Sequence, residues 1–232
     1  MPPADHPASW TVLLPLKPLT AAKTRLDHPD RSAIALAMAQ DTVAAVLAAG
    51  DDLVAEVIVI TDDPRARAAL AGLDQPAAPR QRPRLLLVAD EPASGLNPAL
   101  AHGARLARQR RPGCGVAALS ADLPALRPDE LRTALRAAPP GARAVLADAA
   151  GTGTVLLAAA PGQPLDPAFG PGSHAAHLGS GAVDLTGELA GAVPGLRRDV
   201  DTLADLAAAR ALGVGPATAG ALRAGPTPRN AA

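Results

Sequence analysis

Three cations follow the first apolar run of the chain. In "LLPLKPLTAAKTRL" (residues 13–26), Lys17, Lys23 and Arg25 come directly after a strand-like stretch at 11–16. Three positive charges in one loop can neutralise a triphosphate and the charge that grows on a departing pyrophosphate. The same residue types also make ordinary solvated loops; what favours phosphate here is their position just past a first strand. The loop is not of the Walker type. It lacks G-x-x-x-x-G-K-[ST], and no G-x-G-x-x-G follows the strand, which counts against a P-loop ATPase and a dinucleotide-dependent dehydrogenase.

The complementary charges lie at other strand ends. Asp122, in "LSADLPAL" (residues 119–126), closes an apolar run ahead of a proline. A carboxylate so placed can hold Mg²⁺, which takes one or two protein carboxylates and completes its shell with water and phosphate oxygens. Asp199 and Asp201, in "RRDVDTLADL" (residues 197–206), are two apart. If Asp199 ends a strand, alternation aims both the same way, one as a metal ligand and the other as the N-cap of the last helix. The cap of that helix is Asp201 or Thr202, and Asp201 is the one favoured. The loops "DAAGTGT" (148–154) and "FGPGS" (169–173) are dense in glycine, and such backbone lets a ligand approach closely. Thr154 and Ser173 add hydroxyl donors there, and a helix starting at Ser173 would offer free N–H groups to an anion. His174 and His177 are read as helix-surface residues, and Cys114, in "PGCG", is given no role.

The elements that must position these residues alternate along the chain. Apolar runs predict strands at 11–16, 54–61, 84–90 and 115–122, and helical periodicity predicts helices at 31–49, 62–73 and 97–110. A helix at 127–138, a strand–loop–strand over 143–159, a short helix from Ser173, a strand at 196–200 and a final helix after Asp201 complete the reading. Residues 75–83 form a loop. Strands that are continuously apolar belong to a mostly parallel sheet with helices on both faces. Such sheets bind ligands beyond the carboxyl ends of their strands. Those ends carry Lys17, Thr61, Asp62, Asp90, the segment 120–122, Asp148 and the segment 199–201. The expected single domain spans 10–214, with flexible termini at 1–9 and 215–232.

Composition bounds the function. The 232 residues are 48% hydrophobic with a formal net charge of zero, so the chain lacks the basic excess of a non-specific nucleic-acid binder. One Trp (Trp10), one Phe (Phe169) and no Tyr leave no stacking platform for single strands. A single cysteine cannot form an internal disulfide, which fits a reducing cytoplasm. No signal peptide and no uninterrupted apolar span of 18 residues are visible, so no membrane partner is expected.

Six segments taken in order, "LLPLKPLTAAKTRL", "GLNPAL" (95–100), "SADLPAL", "DAAGTGT", "FGPGS" and "DVDTLADL", resemble the motifs of the 2-phospho-L-lactate guanylyltransferase family, over roughly residues 10–214. The family's actinobacterial members act as phosphoenolpyruvate guanylyltransferases in making the deazaflavin coenzyme F-420. The resemblance implies a single Rossmann-like α/β domain of the nucleotide-diphospho-sugar transferase type. It implies transfer of GMP from GTP to the phosphate of phosphoenolpyruvate, or of 2-phospho-L-lactate, with pyrophosphate released. Residue by residue, Pro15, Lys17, Lys23, Arg25 and Leu26 match the loop on the GTP phosphates, and Gly95 and Asn97 the contacts to base or ribose. Asp122 and Asp199 match two Mg²⁺ ligands; Thr154, Gly170 and Ser173 match the groups holding the acceptor's phosphate and carboxylate. Asp148 would support the acceptor loop. The segment between Ser173 and Asp199 is longer than the family pattern, so the choice between Asp199 and Asp201 stays open. Rival readings are a nucleotidyltransferase with a sugar-phosphate or molybdopterin acceptor and a non-catalytic nucleotide-binding module. Homo-oligomerisation is left open.

Overall fold

The computed structural model describes residues 9–20, 23–74 and 83–224. In chain order the elements are β1 (Trp10–Pro15), α1 (Arg31–Ala48), β2 (Val54–Ile60), α2 (Pro64–Ala71), β3 (Arg84–Val88), α3 (Leu96–Arg110), β4 (Gly115–Leu119), α4 (Pro128–Ala137), β5 (Arg143–Ala147), β6 (Thr154–Ala159), α5 (Ser173–Gly179), β7 (Val183–Asp184), α6 (Thr186–Leu189), α7 (Leu203–Leu212) and α8 (Pro216–Arg223). One seven-stranded sheet runs in the order β3-β2-β1-β4-β6-β5-β7. β1 pairs in parallel with β2 and β4, β2 with β3, and β5 with β7, whereas β6 is antiparallel to both β4 and β5. The sheet is therefore mostly parallel, in a single α/β layer structure.

Alternation along the strands decides which helix each residue meets. Val12 and Leu14 join Val57, Val59 and Leu119 in a core with Val43, Val46 and Leu47 of α1 and Leu131 and Leu135 of α4. Leu13, between them, turns to the opposite face, with Ile58, Ile60 and Leu100, Ala104 and Ala107 of α3. Both faces are covered, which is why the inner strands read as unbroken apolar runs. β4 begins at a glycine because a Cβ at Gly115 would sit 2.5 Å from the Trp10 ring. α1 is the one described helix long and apolar enough to cross a membrane, with mean hydropathy 1.2. It is 61% buried between the sheet, α4 and α8, the position of a core helix.

Two expectations are corrected. Residues 196–200 form no strand. The backbone N–H groups of Gly195 and Leu196 donate instead to the Glu130 carboxylate of α4, at 3.1 and 2.8 Å, and Val200 N–H donates to the Asp122 carbonyl at 3.2 Å. Leu196 and Val200 are fully buried, so the segment has a strand's apolar pattern without its ladder. The expected loose tail after Gly213 is in part the helix α8. Buried Asp41 of α1 accepts the N–H groups of Ala217 and Thr218, at 3.0 and 2.7 Å, and so satisfies the first turn of α8. Of the expected termini, residues 1–8 and 225–232 lie outside the described residues, as does 75–82 of the expected loop.

Candidate active site

β1 and β4 are neighbours and parallel, so the loops after them open at the same end of the sheet. Between these loops is a cavity of about 330 Å³. Lys17, Lys23 and Arg25 line one side, Ser120 and Asp122 another, with Asp201 and Phe169 completing the wall.

The cationic loop is held from behind. Leu19 is buried; its N–H donates to Asp63 Oδ2 at 2.8 Å and its carbonyl accepts from Ser32 Oγ at 2.9 Å. Asp63 Oδ1 meanwhile caps α2 through the N–H groups of Arg65 and Ala66. Burial works to raise the Asp63 carboxyl, but the N–H groups of Leu19, Ala66 and Arg65 outweigh it and hold the group below its ordinary range. Beyond this anchor the three cations are not equivalent. Lys23 has a left-handed backbone (φ 55°) and a side chain only 10% exposed, and its ammonium bridges Asp122 and Asp201, the latter at 2.9 Å. Burial alone would lower the Lys23 pKa, but the two carboxylates raise it above its usual value. Arg25 is 71% exposed and pairs with Asp201. Lys17 faces the cavity from an exposed position.

Asp201 is not the helix cap. Thr202 is, accepting from Asp205 N–H at 3.2 Å, while the Asp205 carboxylate returns to Thr202 N–H at 2.9 Å. Displacing the cap by one residue frees Asp201 for Lys23 and Arg25. The pattern Thr202-x-x-Asp205 is a capping-box signal present in the sequence, and it could have released Asp201 from that role. Asp199 is not among the residues that line the cavity. Burial first, then the charges of Asp122, Asp148 and Asp201, push its carboxyl up to about 7, with Lys23 opposing. Three carboxylates thus act on the Asp199 carboxyl, and carboxylate oxygens are the donors a hard cation takes. Among the described residues no three His, Cys, Asp or Glu side chains form a cage of their own.

The glycine loops lie on the other flank. Asp148 organises the first: its carboxylate accepts Thr152 N–H at 3.0 Å and Gly153 N–H at 2.9 Å. A Cβ at Gly153 would fall 2.4 Å from that carboxylate. Arg197 locks the preceding turn through the carbonyls of Ala147 and Asp148. Thr154 then opens β6 beside the end of β4, where Ser120 N–H donates to the Val155 carbonyl at 2.9 Å. Gly170 (φ 146°) and Gly172 (φ 70°) shape the turn that delivers buried Ser173 to the start of α5. His174 N–H donates to the Thr152 carbonyl at 3.2 Å, which joins the two loops.

Gly95 (φ 114°) is the N-cap residue of α3. Asn97 is engaged within the protein: its amide grips the backbone of Phe169, accepting N–H at 2.8 Å and donating to C=O at 3.0 Å. It braces the loop at 169–172 against α3. The reading of His177 as a surface residue is also corrected. It is fully buried, with Nδ1 3.0 Å from Thr154 Oγ1 and Nε2 accepting Ala168 N–H at 2.9 Å. Burial, then the charges of Arg143 and His174, lowers its pKa to about 4. His174 stays near Asp184 at 3.2 Å. Nothing in the local pattern "SHAAHLG" marks which histidine turns inward.

Two solved structures share this architecture. A protein described as a nucleotide-diphospho-sugar transferase from Desulfovibrio desulfuricans aligns with TM-score 0.66 at 16% identity, over 93% of this chain and 94% of its own. A nucleotidyl transferase from Methanothermobacter aligns with TM-score 0.58 at 19% identity, over 93% and 99%. The fold is thus that of the nucleotidyltransferases, with a cation–carboxylate cavity at its strand ends. Sequence relatives narrow the class. The phosphoenolpyruvate guanylyltransferase of Frankia casuarinae is 64% identical over 227 residues, 94% of this chain and 78% of the relative. That of Thermomonospora curvata is 54% identical over 218 residues, covering 93% and 89%. The chain belongs to the phosphoenolpyruvate guanylyltransferase family. No protein-family model matches it.

Proposed function

We propose that this chain transfers GMP from GTP to the phosphate of phosphoenolpyruvate, releasing pyrophosphate, as a cytoplasmic step in making coenzyme F-420. The observation that carries the reading is the pairing of Lys23 and Arg25 with Asp122 and Asp201 in one cavity, in a chain 64% identical to a phosphoenolpyruvate guanylyltransferase. Nucleotidyl transfer must bring an anion up to a polyanion. At ~4 Å, two unit charges repel by on the order of 4 kcal/mol at an intermediate effective dielectric. Left uncompensated, that is about a thousandfold in rate.

Each residue has a task in this scheme. Lys17, Lys23 and Arg25 neutralise the GTP phosphates and the leaving pyrophosphate. Thr154, the Gly170 backbone and Ser173 hold the acceptor's phosphate and carboxylate. Asp122 and Asp199 would hold Mg²⁺, which would supply positive charge to offset the repulsion between the anionic reactants. The acceptor phosphate is already ionised near neutral pH, so the chain need not provide a general base. The experiment is mass spectrometry of products formed from GTP and Mg²⁺ with phosphoenolpyruvate and 2-phospho-L-lactate in competition. The phosphoenolpyruvate adduct of GMP is expected to dominate; nucleotide transfer to neither acceptor overturns the reading.

A further inference from the structure

The hydrogen bonds of His177 fix more than its position. A backbone N–H can only donate, so the Ala168 N–H at 2.9 Å makes Nε2 an acceptor and leaves it without a proton. The ring is buried, and its neutral form then carries its proton on Nδ1. Nδ1 lies 3.0 Å from Thr154 Oγ1, so the ring donates and the hydroxyl accepts. The hydroxyl's own proton must then point elsewhere. Among the described residues Thr154 Oγ1 has no other partner. Protonating Nε2 would set N–H against N–H, consistent with the lowered pKa of the ring. Phe169 packs edge-on against the imidazole, with ring centres 5.2 Å apart, and Asn97 holds Phe169 by both backbone groups. The ring is thereby braced by α3 and by the loop that carries Gly170.

We propose that His177 is a positioning residue for the acceptor: its Nδ1–H makes Thr154 a committed hydroxyl donor toward an anionic oxygen of the phosphate or carboxylate. This rests on the reading of Thr154 as an acceptor contact. Without the ring, the Thr154 hydroxyl is free to rotate, and its proton is no longer reserved for substrate. A buried histidine between two loops would by itself be structural; the fixed tautomer gives it a directional effect on one hydroxyl.

The test separates the two ring nitrogens. His177→Gln keeps an acceptor near the place of Nε2 and loses the donor to Thr154; His177→Asn keeps an N–H donor near the place of Nδ1 and loses the link to Ala168. Loss of one hydrogen bond to a charged group corresponds to roughly tenfold or more. His177→Gln is expected to raise the phosphoenolpyruvate KM by about tenfold with the GTP KM unchanged, and His177→Asn to raise it by much less. In a Thr154→Val background His177→Gln adds nothing. Equal effects of the two His177 variants, or equal effects on both substrates, overturn the inference. If Thr154→Val leaves the acceptor KM untouched, the acceptor reading of Thr154 fails. If Thr154→Val raises it and His177→Gln does not, the His177 inference alone fails. Imidazole ¹⁵N shifts of the wild-type protein need no variant: Nδ1 protonated and Nε2 bare supports the proposal, and the reverse tautomer overturns it.

Discussion

At the scale of single residues, the cavity is a balance of charges in which Lys23, Arg25, Asp122 and Asp201 are all paired. Lys23 is nearly buried and rests on two carboxylates, so losing one leaves it paired with the other. Asp122→Asn is therefore expected to preserve the fold, with a circular dichroism spectrum like the wild type's, while turnover falls by about a hundredfold or more. An unchanged rate at saturating Mg²⁺ would remove Asp122 from the site. His177 supports a pH prediction. Its folded pKa, about 4, lies below the ordinary 6.5, so between these values the unfolded chain binds a proton that the folded one refuses. Its contribution to stability is full above pH 6.5 and is lost as pH falls toward 4, by on the order of 3 kcal/mol. Asp199 acts with the opposite sign, because its raised pKa lets the folded chain bind the proton first. The wild-type curve mixes the two, and the difference between wild type and His177→Asn isolates the histidine. That difference should shrink between pH 7 and 4 in denaturant titrations; a constant one would mean that the ring is not held neutral.

At the scale of elements, legibility followed burial on both faces. β1, β2 and β4 could be read because both sides of each strand are covered, which leaves few polar positions to blur the run: Thr11 in β1, and Glu56 in β2, whose carboxylate pairs with Arg110. Lys17 and Asp122 were legible as strand-end residues for the same reason, and Lys23 and Arg25 as cations of the loop that follows β1. The segment at 196–200 misled because Leu196 and Val200 are as buried as strand residues, while its hydrogen-bond partner, Glu130, lies 65 and 66 residues away from Gly195 and Leu196. Periodicity sees only neighbours in sequence. Gly195 is central to that turn: a Cβ there would lie 2.2 Å from the Ala125 carbonyl oxygen and 2.7 Å from Glu130 Oε2. Gly195→Ala must displace backbone, so a loss of roughly 2–4 kcal/mol is expected in chemical denaturation. The same turn leads into Asp199 and Asp201, so kcat should fall with it. Full stability in Gly195→Ala would show that the turn relaxes without cost.

At the scale of the whole molecule, the cavity and its flank gather residues from most of the chain's length: Lys23 and Arg25 near one end, Asp122 and Thr154 in the middle, Ser173, Asp199 and Asp201 toward the other. Helix α8, which composition alone reads as tail, closes this arrangement by docking on Asp41 of α1, while Gly215 N–H donates to the Pro124 carbonyl two residues after Asp122. Its sequence, "PATAGALR", has few apolar anchors of its own, so its helicity depends on the buried carboxylate that receives it. Because the ligands of the proposed site would join segments so far apart, they should stabilise the domain as a unit. GTP with Mg²⁺ at 100 times its dissociation constant contributes about 2.7 kcal/mol, and for a domain of this size about 2–4 °C accompanies each kcal/mol. A rise in Tm of roughly 5–10 °C is expected, and chelating the metal should abolish most of it. Lys23 already pairs with Asp122, one of the two proposed ligands, so Mg²⁺ without nucleotide should shift Tm far less. Equal shifts from Mg²⁺ alone and from Mg²⁺ with GTP would mean that the carboxylates take the metal independently of the triphosphate. No shift from either would take the triphosphate out of this cavity.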